Sequence, residues 1–307
     1  MLPASAWGPL AEAHAARVDT LTAGYRDRRS RGERHPIDDF LYDYYNLKPS
    51  PLRRWHPGAG VVLSGTADDL AARASWRWHR TTDDGVTLDV AAFLADRGDT
   101  VRYIRTLLAA TASRPAHLGC LGLHEWAMVY REDDARRRHS LPLRLGREGT
   151  DAVVESHPVR CTHFDAFRFF TPDAVARNRL QPTRATQPEL EQPGCLHANM
   201  DLLKWVLKLG PAAPGDLVLD CFVLARDIRT LDMQASPYDV SSLGEAAVAI
   251  ETPAGKAQYA TRQRGFAERS AVLRERLLEV CERLVGESIP QRSRSGSPRS
   301  AATWSGT

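Results

Sequence analysis

Three short windows in the middle of the chain place a cysteine just ahead of a histidine that opens an apolar stretch with a carboxylate. They are Cys120-Leu-Gly-Leu-His124-Glu125, Cys161-Thr-His163-Phe-Asp165 and Cys195-Leu-His197-Ala-Asn-Met-Asp201. Histidine, thiol and carboxylate are the side chains that hold metals and move protons, so their clustering marks the candidate site. The spacings discriminate among chemistries. A structural zinc site would show paired cysteines or paired histidines, and neither pattern occurs. The Glu-x-x-His signature of helical di-iron proteins is also missing, and Met128 stands where a zincin helix would carry its second histidine.

A two-histidine, one-carboxylate set for iron or manganese fits better, drawn from His163 and His197 with Glu125, Asp165 or Asp201. Spaced four apart on a helix, His197 and Asp201 share a face. The wider expected metal set is His124, Glu125, His163, His197 and Asp201. The expected catalytic group is His163, Asp165, His197 and Asp201, which would equally serve metal-free acid–base work in an apolar pocket. On this reading the cysteines are small apolar filler.

Two other stretches carry unusual side chains. The run His35-Pro-Ile-Asp38-Asp39-Phe40-Leu-Tyr42-Asp43-Tyr44-Tyr45 packs acids and tyrosines tightly and suits a cationic or aromatic ligand. Ser236-Pro-Tyr238-Asp239 reads as a polar connector between two apolar helices. No glycine-rich nucleotide loop, P-loop or nucleophile elbow is present.

The elements that must position these groups are mainly helical. Three- and four-residue apolar spacings predict helices over residues 7–30, from Pro36 through Tyr45, over 89–112 with a break near Gly98, from His124 to Arg131, and from His197 to Leu209. Gly210-Pro211 stops the last of these. Thr171-Pro172 looks like a cap restarting the helix that carries Phe164, Phe167, Phe169 and Phe170. Apolar helices should follow Pro214-Gly-Asp216 and Thr252-Pro253. Residues 55–88 read as irregular with two short strands, 151–156 as a strand, and 132–138 and 181–194 as loops. The fold expected is one large helical domain, residues 1–287, with a few short strands and a disordered Ser/Arg-rich tail, 288–307.

Composition bounds the partners. The net charge is +3 with Lys+Arg 41 against Asp+Glu 38, and all but four of those basic residues are arginine. Arg292, Arg294 and Arg299 lie in the tail without an acid, so residues 1–287 net to zero. Charge therefore advertises no extended nucleic-acid face. Five cysteines, an odd count, do not resemble a disulfide scaffold. With no apolar run near the roughly 18–20 residues of a membrane span and no leader-like start, a cytoplasmic protein is expected.

Several stretches have a familiar look as they stand: HPIDDFLYDYYNLKPSPLRRWHPG, LGLHEWAMVYR, THFDAFRFFTPDAVARN, CLHANMDLLKWVLKLGP and ASPYDV. With the LRERLLEVCERL helix they resemble a group of actinobacterial proteins commonly named 3-methyladenine DNA glycosylase, over residues 7 to 285. The resemblance implies DNA repair, with DNA as partner, by hydrolysis of an N-glycosidic bond. A flipped base would stack on aromatic rings while a carboxylate assists. Tyr44, Tyr45, Trp126 and Trp205 are the expected stacking partners, with Asp165 or Asp201 as the carboxylate. The hairpin of helix–hairpin–helix glycosylases is not matched by Leu209-Gly210-Pro211-Ala-Ala-Pro214-Gly215-Asp216, so no catalytic residue is carried over. Read without the resemblance, the residues point to a His/carboxylate enzyme for a small molecule, holding iron or manganese or working without metal. A binding protein for a cationic metabolite is the further alternative.

Overall fold

The computed structural model describes residues 1–133 and 140–287. The expected disordered tail and most of the charged loop at 132–138 lie outside those residues. The chain opens with β1 (Leu2–Pro3) and the long helix α1 (Ala4–Ser30), followed by α2 (Phe40–Tyr44) and α3 (Pro49–Leu52). A small sheet then forms from β2 (Val62–Ser64), β3 (His79–Thr82) and β4 (Gly85–Leu88), with α4 (Ala67–Ala74) between β2 and β3. After it come α5 (Val90–Ala112), α6 (Leu123–Ala127), α7 (Gly146–Ser156), α8 (Phe164–Phe167) and α9 (Pro172–Val175). The remainder is α10 (Gln187–Leu190), α11 (Leu196–Met200), α12 (Leu202–Leu209), α13 (Gly215–Gln234) and α14 (Pro253–Glu287). The protein is mainly α, and no described helix is long and apolar enough to cross a membrane.

The core is built around three helices. α14 lies along α5 and against α13. Leu277, Cys281 and Leu284 bury in one cluster with Phe93, Val101, Ile104 and Leu107. α13 is buried on several sides, with Leu217, Phe222, Leu224, Ala225, Ile228 and Leu231 all within that cluster. A helix buried on most of its faces belongs at the centre of a fold, and α13 there meets α11, α12 and α14. Trp126 anchors α6 to its end: the indole is fully buried and its Nε1–H donates to the Ala235 carbonyl at 2.8 Å.

Local chemistry explains the boundaries. Thr66 and Asp69 form a reciprocal capping box at the start of α4. The Asp89 carboxylate caps α5 by accepting from Ala92 N–H, and Thr171 caps α9 ahead of Pro172, as its sequence predicts. The sheet runs β1-β2-β4-β3, with β1 parallel to β2 and the other pairs antiparallel. Gly85, at φ 137°, leaves the β3–β4 turn so close to β2 that a Cβ would lie 2.1 Å from the Leu63 carbonyl oxygen.

Several expectations are corrected. Residues 151–156 are the end of helix α7, where Thr150, Val153 and Val154 bury one face at helical spacing. Two adjacent valines imitate a strand in so short a run. α5 runs unbroken through Gly98, which is buried inside it. The segment from Pro36 is a turn, and the helix begins only at Phe40, because the Asp39 carboxylate accepts from His35 N–H at 2.9 Å and closes the preceding loop. Residues 55–88 hold three strands and a helix. The expected helix from His197 to Leu209 divides at Asp201 into α11 and α12.

Candidate functional site

The three Cys–His windows converge. The His124 and His197 rings meet edge to face with centroids 4.3 Å apart, and His163 lies 5.4 Å from His197. Around these rings the side chains divide into two groups.

The first group is His124, Glu125, His197 and Asp232. One potential ligand atom from each lies within 4.8 Å of all the others. α6 supplies His124 and Glu125, α11 supplies His197, and α13 supplies Asp232. His124 Nε2 stands 2.8 Å from Asp232 Oδ1, with both side chains buried. Arg229, one turn before Asp232 and 2% exposed, reaches Asp232 Oδ2 at 2.9 Å and Glu125 Oε1 at 3.2 Å. Its guanidinium also lies over the Phe40 ring at 4.1 Å. Burial opposes the charged form of His124, but the Asp232 carboxylate outweighs it and holds the ring well above its ordinary pKa. Asp232 is correspondingly held low, as His124 outweighs its own burial. His197 behaves oppositely: burial and then the His124 charge hold it well below its ordinary value. It is a neutral ring whose nitrogens make no hydrogen bond among the described residues.

The second group surrounds His163. Its Nδ1 caps α8 by accepting from Ala166 N–H at 3.2 Å. A neutral imidazole that accepts at Nδ1 carries its proton on Nε2. That nitrogen points between Glu191 at 3.3 Å and Asp201 at 3.4 Å without the alignment of a hydrogen bond to either. Asp201 also accepts from Tyr45 O–H at 2.8 Å and from Lys204 Nζ at 3.2 Å, and Lys204 reaches Asp165 at 2.5 Å. Burial would raise the Asp201 pKa, but His163, Lys204 and Tyr45 together hold it low. Burial works against the Lys204 charge, and the two aspartates outweigh it and raise its pKa.

This division revises the expected ligand set. His163 Nδ1 is engaged in capping α8, and Asp201 accepts from Tyr45 and Lys204. Neither belongs to the four-residue group, whose remaining carboxylate is Asp232. Asp165 sits with Lys204 at the edge of that group and lines a cavity with Glu125 and His197. Of the expected stacking residues, Trp126 and Trp205 lie in the core, 0% and 2% exposed. Only Tyr44 and Tyr45 reach a cavity. The acids of the tyrosine run are taken by arginines: Asp38 and Asp39 by Arg28, and Asp43 by Arg34. That leaves no bare acidic wall for a cation. Ser236 and Tyr238 are buried in a connector that pairs with Leu143.

Asp232, Arg229, Glu191 and Lys204 are the site residues absent from the expected set. For the first two a signal existed. Phe222, Ala225, Arg229 and Asp232 fall at 3-4-3 spacing on a helix that is otherwise apolar there, so two charges stand on a buried stripe. Glu191, in a proline-bearing loop, gave none.

The three thiols line the far side of the histidines. Cys120, Cys161 and Cys195 share a small cavity, about 10 Å³, with His124, His197, Tyr259 and Gln263. All are free thiols; burial pushes the Cys195 thiol up to about 12 and Cys161 well above its ordinary value. Protonated thiols are poor ligands; Cys120, half-buried, places its Sγ 3.8 Å from His124 Nδ1.

Two cavities adjoin the site on the side of Asp165. The inner one, between Phe40, Tyr44, Glu125, Asp165, Phe169, His197 and Arg229, measures about 10 Å³, room for roughly one water. The outer one, about 550 Å³ and open to solvent, is lined by Tyr44, Tyr45, Asp165, Arg168, Arg184, Lys204 and Lys208, among others. Tyr44 and Asp165 line both. Compared with known protein families, curated proteins and solved structures, the chain matches none.

Proposed function

We propose that the protein is a metal-dependent enzyme for a small molecule, holding one divalent ion of iron or manganese type on His124, Glu125, His197 and Asp232. The observation that carries this reading is the convergence of four ligating side chains from three helices to within 4.8 Å. Ligands of one ion, each at about 2.0–2.2 Å, stand at most about 4.4 Å apart. The group therefore needs to draw in by only a few tenths of an ångström. Two imidazoles and two carboxylates suit iron or manganese and leave positions open for water or substrate. Such an ion supplies Lewis acidity, or redox chemistry, at the inner cavity.

The chain's own residues supply the rest. Arg229 holds the outer oxygen of Asp232 and so fixes the face that carboxylate presents. His124 carries a proton in the metal-free protein, and loading releases it, so affinity rises with pH. Tyr44 faces the inner cavity as a protonated phenol, since burial and then Asp201 push it up to about 12. It is a hydrogen-bond donor to bound substrate, and Lys204 beside it keeps its charge.

The test is elemental analysis and calorimetry with Mn(II), and with Fe(II) under anoxia, on wild-type and His197→Ala protein. His197 is chosen because its ring makes no hydrogen bond whose loss would cost the fold. One equivalent of metal is expected in the wild type, with affinity at least tenfold weaker in the variant and metal-free melting temperature within about 3 °C. Absence of saturable metal binding to the wild type defeats the proposal.

A second reading, excision of an alkylated base, draws on the aromatic wall of Phe40, Tyr44 and Phe169 beside Asp165 and Glu125. It requires the inner cavity to open well beyond 10 Å³ to admit a base. Its signature is release of free 3-methyladenine from alkylated DNA, lost in Asp165→Asn; no release from the wild type removes it.

A further inference from the structure

The outer cavity has a composition that the metal centre does not explain. Arg168, Arg184, Lys204 and Lys208 bring four positive charges to it. Asp165 and Asp201 oppose them with two, while Asp43 at the rim is matched by Arg34. The pairing is uneven. Lys204 binds Asp165 at 2.5 Å, but Arg184 and Arg168 stand off the same carboxylate at 3.4 and 3.6 Å. Charge-assisted hydrogen bonds run at roughly 2.7–2.9 Å, so both guanidinium groups hold Asp165 only loosely, with Arg184 also donating to Gln187 Oε1 at 3.1 Å. The Lys208 ammonium has no carboxylate partner among the described residues, and the Tyr44 hydroxyl makes no hydrogen bond among them.

We infer that this cavity is the subsite for an anionic group, of phosphate or carboxylate type, carried by a small-molecule substrate whose reacting end passes Tyr44 and Asp165 toward His197. The inference rests on the metal-centre reading for its direction but not for its charge. Guanidinium forks present paired donors to planar or tetrahedral oxyanions, and two of them flank the cavity. A volume of about 550 Å³ falls within the range of small-molecule clefts. The cations are gathered in a concavity on a chain whose residues 1–287 carry no net charge. A long polyanion would call for a basic stripe.

Calorimetry with inorganic phosphate and with succinate, on the full-length protein at low ionic strength, tests it. The Arg184→Gln/Lys208→Gln double variant is compared with wild type, and a single-stranded oligonucleotide serves as a third titrant. One of the small anions is expected to bind at a single site with millimolar or better affinity, weakened at least tenfold in the double variant. Which of the two binds more tightly decides between phosphate and carboxylate. The inference is overturned if neither anion gives saturable binding, or if the double variant binds as the wild type does. It is also overturned if only the oligonucleotide binds and the double variant abolishes that binding. Repeating the titration with His197→Ala separates the two proposals: anion binding that survives without metal upholds the subsite whatever becomes of the metal centre.

Discussion

The ion pair between His124 and Asp232 gives the sharpest test of the site's energetics, through Asp232→Asn in the presence of a chelator. Three side chains with at most 3% exposure share the interaction: His124, Asp232 and Arg229. The carboxylate accepts from the imidazole on one oxygen and from the guanidinium on the other. An amide in its place has one acceptor and must turn its N–H donors toward one of two groups that are themselves donors. His124 escapes by losing its proton; Arg229 cannot. Breaking a buried pair from one side costs about 3–5 kcal/mol. At about 2–4 °C per kcal/mol for a chain of this size, melting should fall by roughly 6–20 °C. The pH dependence is more diagnostic than the size. His124 has its folded pKa raised above about 6.5, so its contribution is complete below that pH and fades as pH rises toward the folded value, by at most about 1.4 kcal/mol per unit. Asp232 has its folded pKa depressed, so its contribution is complete above about 3.9 and fades as pH falls. The stability gap between wild type and variant should therefore be widest between about pH 4 and 6.5 and shrink steadily toward pH 9. Urea denaturation from pH 5 to 9 measures it. A gap that stays constant across that range, or a melting temperature within 2 °C of wild type at pH 6 (less than about 1 kcal/mol), refutes the reasoning.

Lys204→Met should leave Asp165 and Asp201 buried without their nearest cation and cost about 2–3 kcal/mol at pH 7, discounted for the lysine's partial exposure. Asp201 has its folded pKa depressed, so the contribution it shares with Lys204 is complete above about pH 3.9 and the loss should be nearly the same at pH 7 and 4.5; urea denaturation at both checks this, and a loss below about 1 kcal/mol at pH 7 counts against the pairing. Gly85→Ala should cost more than the roughly 1–3 kcal/mol of its positive φ alone, because the added Cβ would meet the Leu63 carbonyl oxygen at 2.1 Å and push β2 away; metal affinity should be unaltered, as no strand residue lines the inner cavity. Thermal melting and metal titration on the same sample separate the two effects.

How far the site could be read from sequence follows from what periodicity reports. The windows around His124, His163 and His197 were visible because histidine and carboxylate are conspicuous inside apolar stretches. Their division into the four-residue group with Asp232 and the group around His163 was not. That division depends on which ring nitrogen of His163 meets the Ala166 amide, and spacing does not encode this. Asp232 was legible in principle on the buried stripe of α13, masked by the neighbouring Arg229, since an Asp and an Arg three apart usually mark a solvated face. The long helices α1, α5, α13 and α14 were plain because each repeats its pattern over several turns. Short helices such as α7 and α10 were not, as they are held by packing against elements from elsewhere in the chain. Tryptophan misled for a related reason. Its size makes it conspicuous as a stacking surface, yet Trp126 serves to tie α6 to Ala235.

The order in which the four converging residues occur along the chain has a consequence for how the protein matures. His124 and Asp232 are 108 positions apart. At about 5–20 residues per second, α6 leaves the ribosome roughly 5–20 s before the carboxylate that completes its surroundings. Through that interval Glu125 and His124 have neither Arg229 nor Asp232 beside them, and the apolar face of α6 has no α13 to lie on. The centre is therefore a late product of synthesis. An ion bound at the proposed centre would meet its full set of four residues only in a nearly finished protein.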